Sequence, residues 1–92
     1  MHTLMFPILR EHSIREGSLV LHFKYTSGDM TPFLYKVLNF GTNTETNERV
    51  VVYQNISTSK IYVRPYEMFM SEVDSVKYPK TTFPYRFNVI RY

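Results

Sequence analysis

Ninety-two residues, 43% hydrophobic and carrying a formal net charge of +3, fit one small domain with a modest core. The chain has no cysteine, which excludes disulfides, thiolate chemistry and cysteine-ligated zinc and suits the expected cytoplasmic location. No apolar run reaches transmembrane length, residues 1–9 lack the basic and apolar regions of a signal peptide, and no block of like charge marks a dedicated DNA binder.

Residues 1–6 are apolar and read as an arm strand. Residues 7–16 read as a short helix, with Pro7 suited to its first turn and Gly17 to its end. Residues 1–17 are therefore expected to be an N-terminal extension, packed on a main domain spanning 18–92 or on another copy of it. Residues 19–25 alternate as a strand: Leu19, Leu21, Phe23 and Tyr25 share one face, and Val20, His22 and Lys24 the other. Ser27-Gly28-Asp29 and Pro32 mark a loop, and residues 33–40 form the next strand. The Asn-, Thr- and Gly-rich stretch 39–47 turns the chain. Strand 48–55 carries the uninterrupted run Val50-Val51-Val52-Tyr53, as in a central strand covered on both faces.

Residues 61–65 form a further strand, with Ile61 and Val63 on one side and Tyr62 and Arg64 on the other. Pro65 has no N–H to continue the ladder but suits the opening of a helical turn. Residues 66–70 are expected to be that turn, tucking Met68 and Phe69 under the sheet. Residues 72–80 are a polar connector, and 85–92 a last strand with Tyr85, Phe87 and Val89 opposite Arg86, Asn88 and Ile90. Five or six short strands with one helical turn predict a mainly β fold, a small, partly open SH3-like antiparallel barrel, with an OB-like barrel as the alternative. Eight Tyr and seven Phe supply area for the core, and Tyr also suits half-wet ligand-binding faces and subunit contacts.

Several pieces taken in order, His22-Phe23-Lys24, Tyr35-Lys36-Val37-Leu38, Thr44-Glu45-Thr46, Val51-Val52-Tyr53 and Val63-Arg64-Pro65-Tyr66-Glu67-Met68-Phe69, resemble the small bacterial domain-of-unknown-function family 1653. Its members read roughly Y-x-H-F-K-G, Y-x-V-L, H-S-E-T, V-V-Y, W-V-R-P-x-x-M-F and P-R-F. The likeness spans residues 20–90. Departures are Tyr25 where the family has Gly, a longer loop before the second strand, Thr42-Asn43 around the usual His-Ser, and Tyr62 in place of Trp. The resemblance implies a small barrel and no particular reaction. It adds His22, Lys24, Glu45, Tyr53, Tyr62 and Arg64 as positions of interest.

Each position has a functional and a plainer reading. His22 and Lys24, two apart on a strand, make an anion-facing pair or a solvated face. Tyr62 beside Arg64 makes a cradle in which the ring stacks and the guanidinium fork holds oxygens, or Arg64 bridges to Glu45, Glu48 or Glu67. The loop 42–46 offers amides and hydroxyls to phosphate, or satisfies its own backbone. Glu45 reaches a ribose hydroxyl or base edge, or caps a turn. His2, His12 and His22 lack metal-ligand spacing, no nucleophile motif is present, and no cofactor is called for.

The expected function is a non-catalytic binding module, a sponge or sensor for a small anionic, nucleotide-like ligand. Its ligand-binding residues would be His22, Lys24, Glu45, Tyr53, Tyr62 and Arg64, in a homo-oligomer with no membrane partner. One alternative is RNA or single-stranded nucleic-acid binding. Another is a protein-interaction module using the barrel edge or the N-terminal extension.

Overall fold

The computed structural model describes residues 14–90. Its elements are β1 (Leu19–His22), a 3-10 turn (Thr31–Phe33), β2 (Leu34–Thr42), β3 (Arg49–Asn55), β4 (Ile61–Pro65), α1 (Tyr66–Phe69) and β5 (Phe87–Val89). All strand pairs are antiparallel and the order across the sheet is β4-β3-β2-β1-β5. The first four strands form a meander and the last returns beside the first, which is the partly open SH3-like arrangement the strand pattern predicts. The arm strand expected over residues 1–6 and most of the short helix expected over 7–16 lie outside the described residues; residues 14–16, which are described, run into a turn at Gly17 and are not helical. Where the description begins, Gly17 holds φ +87°, a left-handed turn that suits glycine, and its N–H donates to the Val37 carbonyl at 2.8 Å.

The sheet is strongly curled. In a flat sheet β3 and β5, three strands apart, would be about 14 Å from one another. Instead the Tyr53 and Phe87 rings, one from each, meet at 5.3 Å. A break in register between Val37 and Asn39, where β2 carries an extra residue, adds to the bend. The concave face holds the main core of Val20, Val37, Val51, Tyr53, Phe69, Phe87 and Val89. A smaller core lies behind β1 and β5, where Leu21 and Ile90 pack with Tyr25, Met30, Phe33, Leu34 and Phe83. Val20 and Leu21 are therefore both fully buried, on opposite faces of one strand.

Several boundaries differ from the sequence pattern for local reasons. β1 stops at His22, short of Tyr25, because the chain turns there: Lys24 N–H donates to His22 Nδ1 at 3.1 Å and Tyr25 N–H to the His22 carbonyl at 3.1 Å. The helical turn buries Phe69 but leaves Met68 exposed. Adjacent residues on a helix project about 100° apart, so one four-residue turn cannot press both against the sheet, and the ring takes the site. Phe69 stacks on Phe87 at 4.2 Å and 7°. β3 is internal to the sheet, yet only Val51 and Tyr53 of its apolar run are buried, while Val50 and Val52 on the outer face are half-covered.

Two buried asparagines that the hydrophobic pattern does not single out hold loops in place. Asn88 Nδ2 donates to the carbonyls of Tyr85 at 2.7 Å and Leu21 at 3.3 Å, and its Oδ1 accepts from Tyr85 N–H at 3.1 Å. Asn55 Oδ1 accepts from Ser57 and Thr58 N–H, closing the β3–β4 turn, and its Nδ2 donates to the Pro32 carbonyl.

Candidate ligand-binding site

Alternation and register decide which candidate residues meet. Tyr62 pairs with Tyr53, which pairs with Val37; Arg64 pairs with Val51, and His22 with Phe87. All of these lie on the concave face. The curl gathers their rings into one cluster. Tyr53 is nearly parallel to Tyr62 at 5.6 Å and 29°, and Tyr35 packs against Tyr53 at 5.5 Å and Phe87 at 5.5 Å. His22 meets the Phe87 ring edge-on at 5.1 Å. Tyr62, on edge strand β4, is 38% exposed and forms the solvent-facing end of this row.

Arg64 is half-buried beside it, and its Nε donates to the Tyr53 hydroxyl at 3.1 Å. Among the described residues Tyr53 is its only hydrogen-bond partner, and no carboxylate pairs with it. The bridges to Glu45, Glu48 or Glu67 that the sequence also allows are not formed. The guanidinium is thus oriented by a neutral phenol and keeps its Nη groups for another partner. A second arginine, Arg49, behaves differently: its charge lies over the Tyr66 ring, 3.9 Å from the centroid.

His22 carries no charge at neutral pH. Burial pushes its pKa down, and the charges of Lys24, Arg86 and Arg64 push it further, from 6.5 to about 4. Nδ1 accepts the Lys24 N–H, so the neutral ring carries its proton on Nε2 and offers a donor there. The same depression records that Arg64 and Arg86, distant in sequence, are electrostatic neighbours of His22.

Lys24 parts from His22 at the end of β1. It is exposed on the turn, its ammonium 5.9 Å from the Tyr78 ring centroid. Glu45 stands apart from the cluster altogether. It lies at the tip of the β2–β3 hairpin, beyond the last pair Thr42↔Arg49. There Asn43 Oδ1 accepts the Glu45 N–H at 2.9 Å and Thr46 Oγ1 accepts the Glu48 N–H at 3.3 Å, so the loop satisfies its own backbone. The structure adds Tyr35, Arg86 and Phe87 to the cluster. Phe87 was legible as a core-facing residue of the last strand. Nothing in the spacing ties Tyr35 or Arg86 to Arg64.

A family model described as a protein of unknown function (DUF1653) matches residues 18–89, more than three quarters of the chain. The chain belongs to the DUF1653 family. The matched span takes in every strand of the sheet and α1, so the curled sheet and the ring cluster described here are those of a DUF1653 domain. No curated protein and no solved structure matches the chain. Among the described residues no helix is long and apolar enough to cross a membrane, and no group of three or more His, Asp or Glu side chains gathers as metal ligands.

Proposed function

We propose that this domain is a non-catalytic binding module for a small anionic, nucleotide-like ligand. One observation carries the reading. Arg64 is half-buried, oriented by the Tyr53 hydroxyl, without a carboxylate partner among the described residues, and set beside the exposed Tyr62 ring. A planar guanidinium with free Nη groups takes two oxygens of a phosphate or carboxylate, and a half-exposed phenol ring takes the face of a base. Neutral His22 contributes a hydrogen-bond donor without adding a fourth positive charge to Lys24, Arg64 and Arg86. Tyr53 serves as the positioning residue for Arg64. Lys24 contributes long-range attraction, and Glu45 has no part in this constellation. No bond is made or broken. The protein would act as a cytoplasmic sponge or sensor.

A panel of nucleotides in a thermal melt tests this. A ligand at about 100 times its dissociation constant stabilises by about 2.7 kcal/mol, which raises the melting temperature of a domain this size by about 10 °C or more. Arg64→Gln is expected to abolish that rise while leaving the fold intact. A melting temperature that no nucleotide moves at saturation would overturn the reading. Binding of a mononucleotide should also weaken only gently with salt, whereas a single-stranded nucleic acid spanning many phosphates would show a steep dependence.

A second reading, a protein-interaction surface, draws support from β4. Its outer hydrogen-bonding edge pairs with no described strand, and Ile61 and Val63 beside that edge are 56% and 63% exposed. Sedimentation across a concentration series separates the two. Self-association lost on Val63→Lys supports edge pairing between copies, and a concentration-independent monomer removes it.

A further inference from the structure

A cleft whose lining includes none of the residues paired with Arg64 or Tyr62 lies beside the turn after β1. Its volume is about 770 Å³, and it runs between the turn after β1 (residues 23–26) and the connector before β5 (residues 77–83). That volume falls in the range of small-molecule sites. Sequence reading assigns this connector no role beyond a polar link.

The lining combines two chemistries. Phe23, Tyr25, Tyr78 and Phe83 give it a largely apolar, ring-rich wall. Phe23 is buried and meets Tyr78 edge-on at 4.8 Å. Lys24, Lys77 and Lys80 supply all of the formal charge, and no acidic residue lines the cleft. Two of these ammonium groups converge on one ring, with Lys24 Nζ 5.9 Å and Lys77 Nζ 5.6 Å from the Tyr78 centroid. The acids nearest in sequence, Asp29 and Asp74, are each engaged in their own turns: Asp29 Oδ1 accepts from the Thr31 N–H and hydroxyl, and Asp74 Oδ1 from Val76 and Lys77 N–H. Among the described residues none of the three lysines has a carboxylate partner.

The walls are tied to the sheet. Thr81 Oγ1 contacts the Phe23 carbonyl at 3.5 Å and accepts Phe83 N–H at 3.2 Å, and Tyr78 N–H donates to the Asp74 carbonyl at 2.9 Å. A pre-formed aromatic wall under ammonium groups that have no carboxylate partner among the described residues is complementary to a flat apolar body that carries negative charge.

We propose that this cleft is a second binding site, separate from the Arg64 face, for a small organic anion with an aromatic or similarly flat apolar body, such as an aryl phosphate, sulfonate or carboxylate. The flat body lies against the continuous wall formed by Phe23, Tyr78 and Phe83, and the anionic group meets the lysines. Lys24 joins the two sites, since its backbone N–H rests on His22 while its ammonium faces the cleft.

The test is a titration of the whole protein with anilinonaphthalene sulfonate, followed by amide chemical shifts, with the uncharged phenylnaphthylamine and inorganic phosphate as controls. The expected result is saturable binding of the sulfonate below about 1 mM, with shifts concentrated at residues 23–26 and 77–83. Each control is expected to bind at least about tenfold more weakly, because it offers only half of the complementarity. Tyr78→Ala and the double variant Lys77→Ala/Lys80→Ala should each weaken the sulfonate about tenfold. Arg64→Gln should leave it unchanged, which keeps failure here distinct from failure of the nucleotide site. If Tyr78→Ala does not fold, the exposed lysine pair carries the test alone. Shifts scattered elsewhere, absence of saturation, equal binding of the uncharged analogue, or a lysine double variant that binds like the parent would each overturn the proposal.

Discussion

At the β5 edge of the sheet, side chains cover both faces; at the β4 edge they cover only the concave one. Beside β5, Val20, Phe87 and Val89 fill the inner core while Leu21, Asn88 and Ile90 are buried behind. Beside β4, Arg64 and Tyr62 lean into the concave cluster, whereas Ile61 and Val63 face outward with little over them. The difference teaches where this small domain spends its apolar area. One edge secures the fold, and the other presents a ring, a cation and an open strand. The β5 edge should accordingly be intolerant of change, and the β4 edge tolerant in stability but sensitive in binding.

The largest expected effect is at the closed edge. Phe87 touches Tyr35, Tyr53, Phe69 and His22, so Phe87→Ala should cost about 3–5 kcal/mol in chemical denaturation, enough to leave the domain marginal. A loss below about 1 kcal/mol would mean that the cluster is not packed as described. Next comes Asn88→Ala, which removes the buried side-chain bonds to the Tyr85 N–H and to the carbonyls of Tyr85 and Leu21. The expected loss is about 2–3 kcal/mol, and Asn88→Asp should not rescue it, because a carboxylate cannot donate to two carbonyls.

The pH response of His22 gives an intermediate effect. Its native pKa of about 4 lies below the ordinary 6.5, so between those values the unfolded chain holds a proton that the native state does not. The stability contribution is full above pH 6.5 and is lost as pH falls toward 4. The loss is roughly 2 kcal/mol once partial exposure is allowed for. His22→Gln should flatten the stability profile in that window, and an unchanged slope would place the proton uptake on other groups. Smallest in stability, Tyr62→Ala should cost less than about 1 kcal/mol while weakening nucleotide binding about tenfold or more, since a half-exposed stacking ring carries more of the ligand than of the core.

Most of the architecture was legible because strand periodicity and punctuation agree. Alternation in 61–65 followed by Pro65 predicts β4 at its observed bounds and the turn of α1 to within one residue, since α1 ends at Phe69 and not at 70. The end of β1 was not legible, because an imidazole nitrogen accepting the Lys24 N–H turns the chain there without interrupting the apolar alternation. Met68 could not be separated from Phe69 by composition; the geometry of one helical turn separates them. For the candidate site, Tyr62 and Arg64 were legible as a pair because they are two apart on one strand. The nearness of His22 to Arg64 depends on the curl of the sheet, which no local spacing encodes. Glu45 drew interest through resemblance of its loop, but hairpin length carries it past the end of the sheet. The lysine cleft was invisible because its two sides are some fifty residues apart in the chain.

The most direct test of the central claim is an amide chemical-shift titration with whichever nucleotide most raises the melting temperature. The account predicts saturable shifts at His22, Tyr53, Tyr62 and Arg64, silence at the hairpin tip around Glu45, and loss of the response in Arg64→Gln. Shifts centred on the hairpin tip, or a response that Arg64→Gln leaves intact, would contradict it.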